Sequence, residues 1–116
     1  MEPLKQDSKL LRIFIGDADM LHHVPLYEAI LLQAKKSGLA GGTVLKGIMS
    51  YGASSRLHTV KLLDLSTDLP IIVEIIDHEE KVRAFIDVVG GMIEEAGCGG
   101  LITVEKAEVA YYKPKK

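Results

Sequence analysis

The run Pro70 to Asp77, PIIVEIID, constrains this chain most. Ile71, Val73 and Ile75 alternate with Ile72, Glu74 and Ile76, so one face is wholly apolar and the other carries a single carboxylate. β-Branched residues at period two specify an extended strand. Lys9 to Gly16, KLLRIFIG, repeats the pattern, with Leu11, Ile13 and Ile15 on one face and Leu10, Arg12 and Phe14 on the other. Two strands this aliphatic belong at the centre of a sheet. Around them, Gly42 to Met49 and Leu101 to Tyr112 read as two further strands.

Two helices fall between the strands. Pro25 to Ser37 opens with proline at the first helical position, spaces Leu26, Ile30 and Ala34 as a buried stripe, and ends on Lys35 and Lys36 before Gly38. Gly38 is placed to stop it in a left-handed conformation. In the second helix Val82, Phe85, Ile86, Val89 and Ile93 recur at helical intervals. Asp77 and Glu80 have the spacing of a capping box at its start. Gly90 and Gly91 weaken it by about 1 kcal/mol each relative to alanine, so either it bends there or another backbone packs closely. Gly97, Cys98, Gly99 and Gly100 end it.

The order strand, helix, strand, strand, helix, strand predicts an α+β fold of ferredoxin-like βαββαβ type. It has one four-stranded antiparallel sheet with two helices on one face. The first and third strands are central, which places Arg12 opposite Glu74. The uncovered face then carries Arg12, Phe14, Ile72, Glu74 and Ile76, and an apolar face of that size invites association, here sheet to sheet between identical chains.

The 116 residues form a single domain, with residues 1–8 as a polar arm, 50–68 as a long loop and 113–116 as a basic tail. A net charge of -2 gives no reason to expect a nucleic-acid partner. One cysteine excludes an internal disulfide and fits a reducing compartment. The start lacks an apolar segment of signal-peptide type, and the apolar runs are too short to cross a bilayer as helices. Together these features predict a cytoplasmic protein that is not integral to a membrane.

The segment from Gly47 to Pro70 is too long for a hairpin turn, and it carries Gly47, Gly52, Ser50, Ser54, Ser55, Arg56, His58 and Lys61. Connections beyond about 12–15 residues are usually functional or disordered, so the segment reads as a mobile binding loop or, alternatively, as a hairpin extension with a loose tip. The turn at Gly97–Gly100 offers bare backbone N–H groups to a phosphate, or is simply a helix stop. His22, His23, His58 and His78 lack metal-ligand spacing with cysteine. His58, beside Arg56, is the histidine that reads as facing a ligand, with a surface position as the alternative. Cys98 follows a helix end rather than opening a helix, so nothing in the sequence marks it as a nucleophile.

KGIMSYG at Lys46 to Gly52, LPIIVEIID at Leu69 to Asp77 and GCGGLITVEKAEV at Gly97 to Val109 resemble the PII signal-transduction proteins. The likeness is to their PII-like branch known as a domain of unknown function. That resemblance implies a homotrimer with an adenine nucleotide in each cleft between subunits. Gly47, Ile48, Met49, Ser50, Gly52, Arg56 and His58 would come from one subunit. Gly97, Cys98, Gly99, Gly100 and Leu101 would come from the other. It also implies signalling to an unnamed protein partner through residues 50–68, without catalysis. The PII lysine of the glycine turn is replaced by Gly100, which favours AMP or ADP as ligand over a triphosphate. A metal-binding trimer of the divalent-cation tolerance type and a weak nucleotide hydrolase are the alternatives.

Overall fold

The computed structural model describes residues 7–51, 57–59 and 69–115, with the backbone alone for 57–59. Its elements run β1 (Asp7–Gly16), β2 (Met20–Leu21), β3 (Val24–Pro25), α1 (Leu26–Lys36), β4 (Thr43–Lys46), β5 (Met49–Tyr51), β6 (Leu57–Thr59), β7 (Pro70–Asp77), α2 (Glu79–Ala96) and β8 (Leu101–Glu108). Strands β4, β7, β1 and β8 form one sheet in that order, every pair antiparallel. The two most aliphatic strands, β1 and β7, are its centre, and the fold is mixed α+β with two helices.

The core lies between one sheet face and the helices. Leu11, Ile13 and Ile15 of β1 and Ile71, Val73 and Ile75 of β7 meet Leu26, Ile30 and Ala34 of α1 and Val82, Phe85 and Val89 of α2, all buried. Gly38 and Gly97 stop the two helices at φ +79° and +70°, the left-handed region that glycine enters without a Cβ penalty.

Several boundaries depart from the sequence reading. Asp7 and Ser8, assigned to the arm, extend β1 by pairing with Glu108 and Ala107. The second strand is cut at Lys46: Gly47 still donates its N–H to the Pro70 carbonyl at 2.8 Å, but proline has no N–H with which to return the bond. Met49–Tyr51 then starts a separate two-stranded ribbon with Leu57–Thr59. The last strand ends at Glu108, opposite Asp7, the first described residue of β1.

The capping box does not form. Residue 78 caps α2, and Asp77 spends both carboxylate oxygens elsewhere. Oδ1 accepts the His78 N–H at 2.7 Å, and Oδ2 accepts the Ala40 N–H at 2.8 Å. The helix runs unbroken through Gly90 and Gly91, and a Cβ added at either would meet nothing within 4 Å. Among the described residues, no backbone packs closely against the pair, which was one of its two expected causes.

Candidate functional site

One end of the sheet gathers most of the polar turns. β1 ends at Gly16, and the following turn is locked by Asp19, whose Oδ2 accepts the Gly16 N–H at 2.8 Å. Asp17 ties this turn to the start of β7. Its N–H donates to the Leu69 carbonyl at 2.9 Å, and its Oδ1 accepts the Leu69 N–H at 3.1 Å. Its other oxygen pairs with Lys46 Nζ at 3.0 Å, fastening the end of β4 to the same platform. Gly47 is needed here for packing, since an added Cβ would lie 2.5 Å from Pro70 Cγ.

Ile48, Met49 and Tyr51 follow from this platform as exposed side chains, 72%, 51% and 71% accessible, and Ser50 is half-buried. In the ribbon, Ser50 is opposite residue 58. Gly52 and Arg56 lie outside the described residues, and so does the side chain of His58.

The glycine turn sits at the same end but on the opposite edge. β4 is one margin of the sheet and β8 the other. Lys46 is level with Ile71, Ile71 with Ile15, and Phe14 with Leu101, so Lys46 and Gly100 mark the two ends of one row and Gly47 stands one place beyond it. Three interstrand spacings separate those margins, roughly 14 Å. Among the described residues, a single chain therefore keeps Gly47–Tyr51 apart from Gly97–Leu101.

Within the turn, a Cβ at Gly99 would meet nothing within 4 Å, whereas one at Gly100 would press on Ile93 Cδ1 at 2.9 Å. Cys98 is half-buried against the core, and Leu101 is 56% accessible. The turn follows the C-terminal end of α2, the negative pole of the helix dipole. No basic residue occupies the last turn of α2, which carries Glu94 and Glu95.

The structure adds residues that the sequence reading passed over. The bracing role of Asp17 and Asp19 becomes visible once β1 and β4 are known to end where β7 begins. His22 and His23 form the tip of the β2–β3 hairpin at φ 48° and 70°. That tip lies against α2 through a contact between His22 Nε2 and the Glu95 carboxylate. Two-residue turns of this kind favour asparagine and glycine, so histidines gave no signal.

On the uncovered face Arg12 lies between two carboxylates, with Nε 2.9 Å from Glu74 and Nη1 2.6 Å from Glu105. These bonds, that to Glu74 foremost, hold the guanidinium above its ordinary pKa against a smaller opposing effect of desolvation. Phe14 and Ile72 are half-buried neighbours in register, and Ile76 is 37% accessible. Among the described residues, no three His, Cys, Asp or Glu side chains come together as metal ligands, and no helix is long and apolar enough to cross a membrane.

A profile of the DUF190 family, described as "Uncharacterized ACR", matches residues 8–109. A UPF0166 protein of Aquifex aeolicus is 41% identical over 104 residues, 90% of this chain and 94% of that protein. Among solved structures, a nitrogen regulatory PII-like protein from Thiomonas intermedia, bound to ADP, AMP and bicarbonate, superposes with a TM-score of 0.67 at 18% identity. The match covers 90% of each chain. A putative PII-like signaling protein from Thermus thermophilus gives a TM-score of 0.61 at 20% identity, covering 89% of each chain. At these identities the likeness is one of fold, and the fold is PII-like.

Proposed function

The chain belongs to the DUF190 family, and on that footing we propose that it is a regulator of PII type: a cytoplasmic homotrimer that binds AMP or ADP between subunits and presents residues 50–68 to a partner protein. The observation that carries this reading is the placement of Gly47–Tyr51 and Gly97–Leu101 at one end of the sheet on opposite margins. A ligand that needs both needs two copies. The Thiomonas protein, which shares the fold, holds ADP and AMP, and this is the analogy from which the ligand class is taken.

In this reading Gly47, Ile48, Met49, Ser50 and Gly52 meet the base and ribose. Arg56 and His58 add polar contacts from the long loop. Gly97, Cys98, Gly99, Gly100 and Leu101 of the next subunit form the turn that meets the phosphate; the N–H groups of Gly97 and Cys98 already bond to α2 carbonyls, which leaves the donation to the residues after them. Arg12, Phe14, Ile72, Glu74 and Ile76 lie in the contact between subunits. The negative pole of α2, with Glu94 and Glu95 beside it, disfavours every added phosphate. That electrostatic argument and the glycine at position 100 both select AMP or ADP over ATP. Binding then favours one arrangement of the loop and so changes affinity for the partner.

Calorimetry with AMP, ADP and ATP tests this. AMP or ADP is expected to bind at least as tightly as ATP. Gly99→Val, whose Cβ meets nothing in its own chain, keeps the fold but obstructs close approach of a phosphate. It is expected to weaken binding about tenfold or more, which corresponds to about 1.4 kcal/mol. An absence of heat with every adenine nucleotide, or unchanged affinity in the variant, removes the reading.

A further inference from the structure

We propose that His22 is a proton-gated cation for the glycine turn: with its imidazole protonated, the turn binds a nucleotide phosphate more tightly than with it neutral. The inference deepens the reading of Gly97–Leu101 as the phosphate segment and rests on it.

The C-terminal end of an α-helix carries partial negative charge and ordinarily recruits a cation. The last turn of α2 has no basic residue and holds Glu94 and Glu95. A phosphate at the turn that follows therefore meets the helix pole and two carboxylates. The offset comes from another element. The β2–β3 hairpin carries His22 and His23 at its tip, and His22 Nε2 meets the Glu95 carboxylate. Glu95 lies two residues before Gly97, which caps α2. The turn itself gives no reason for an imidazole. The tip adopts φ 48° at His22 and 70° at His23, a geometry that asparagine and glycine fill most readily.

Imidazole is the side chain that exchanges its proton between about pH 5 and 8. With His22 neutral, Glu95 stands as a full negative charge beside the helix pole. With His22 protonated, that charge is cancelled. The potential at Gly99–Leu101, the stretch left to donate to a phosphate, then becomes less negative. Both helices pack against the hairpin. The titratable groups they bring are Glu94 and Glu95 at the end of α2 and Tyr27 and Glu28 at the start of α1. In the preceding turn, Asp19 accepts the Gly16 N–H, and Asp17 is held by Lys46 and the Leu69 N–H. Of the two tip histidines, His22 is the one that meets a carboxylate among the described residues. Coupling of this kind is reciprocal, so a bound phosphate also holds the proton on His22 more tightly.

Calorimetry of AMP binding at about pH 5.5 and about pH 8, near the two ends of the imidazole range, tests this. A phosphate monoester titrates in the same range, so the readout is the difference between chains. His22→Asn is the reference, because asparagine tolerates the left-handed backbone. On acidification the unmodified chain is expected to gain roughly two- to fivefold more affinity than this variant, the size of an exposed ion pair. His22→Lys, a permanent cation, is expected to keep the low-pH affinity at about pH 8. Glu95→Gln is expected to bind more tightly than the unmodified chain at that pH. In the ligand-free protein, the amide resonances of Gly97–Leu101 are expected to follow the His22 ring through its titration, a response that His22→Asn abolishes. Heat in both chains with equal pH dependence would overturn this inference and leave the nucleotide reading standing. Loss of the dependence in His23→Asn would assign it to the other imidazole and overturn it equally. No heat with AMP, ADP or ATP at either pH removes the nucleotide reading and this inference with it.

Discussion

Asp77 carries more of the fold than a capping residue would. It is 2% exposed, and each carboxylate oxygen holds one backbone N–H, that of His78 at the start of α2 and that of Ala40 in the α1–β4 connection. Asp77→Ala orphans both donors. Leaving a buried group unsatisfied costs about 1–3 kcal/mol, so urea unfolding is expected to show a loss of at least that size. A loss below about 0.5 kcal/mol would mean that water replaces the carboxylate. The sequence placed an aspartate at a helix entrance correctly, but a capping box is a local pattern. The pattern could not reveal a competing donor 37 residues away. The same limit applies at Gly47. Its glycine reads as loop chemistry, yet the structure makes it a packing requirement against Pro70.

At the scale of elements, β1 and β7 were legible because burial of one face against the helices dictates a period-two aliphatic pattern. Arg12 opposite Glu74 followed from the topology alone, and the two side chains are bonded. The margins were less legible. β4 and β8 each have one neighbour, so their ends are set by where pairing stops rather than by composition. The ribbon of β5 and β6 was contained in the alternative that the long segment extends a hairpin, although it pairs apart from the main sheet. Residues 52–56 and 60–68, which the sequence reading treats as the loop proper, lie outside the described residues. Gly90 and Gly91 supply a prediction at this scale. Both are helical, and neither has a neighbour that a methyl group would strike. Gly90→Ala and Gly91→Ala are each expected to raise stability by up to about 1 kcal/mol, read from the urea midpoint. A loss instead would show that another copy or a partner packs against this part of α2.

At the scale of the molecule, the uncovered sheet face is ordered in rows. Leu45, Ile72, Phe14 and Leu101 form an apolar row across all four strands, and Thr43, Glu74, Arg12 and Thr103 form a polar one beside it. Leu45 and Leu101, at the two margins, are 44% and 56% exposed. An apolar row that runs from margin to margin on a face without helices is the physical basis for expecting three copies to pack sheet to sheet. The site was legible only as two separate segments, since one chain holds them a sheet's width apart, and a sequence names no neighbour. The assembly prediction is therefore the one on which the site depends. Phe14→Asp and Ile72→Asp each place a carboxylate in the apolar row, where a buried unpaired charge is costly and the group has no cation within its row. Both variants are expected to give monomeric or aggregated protein in multi-angle light scattering, whereas the unmodified chain gives three times its 12.7 kDa mass. Arg12→Ala is expected to act in the same direction, because Glu74 and Glu105 then face the contact as uncompensated carboxylates. A stable monomer from the unmodified chain would refute the sheet-to-sheet contact, and with it the only route by which Gly47 and Gly99 can share one ligand.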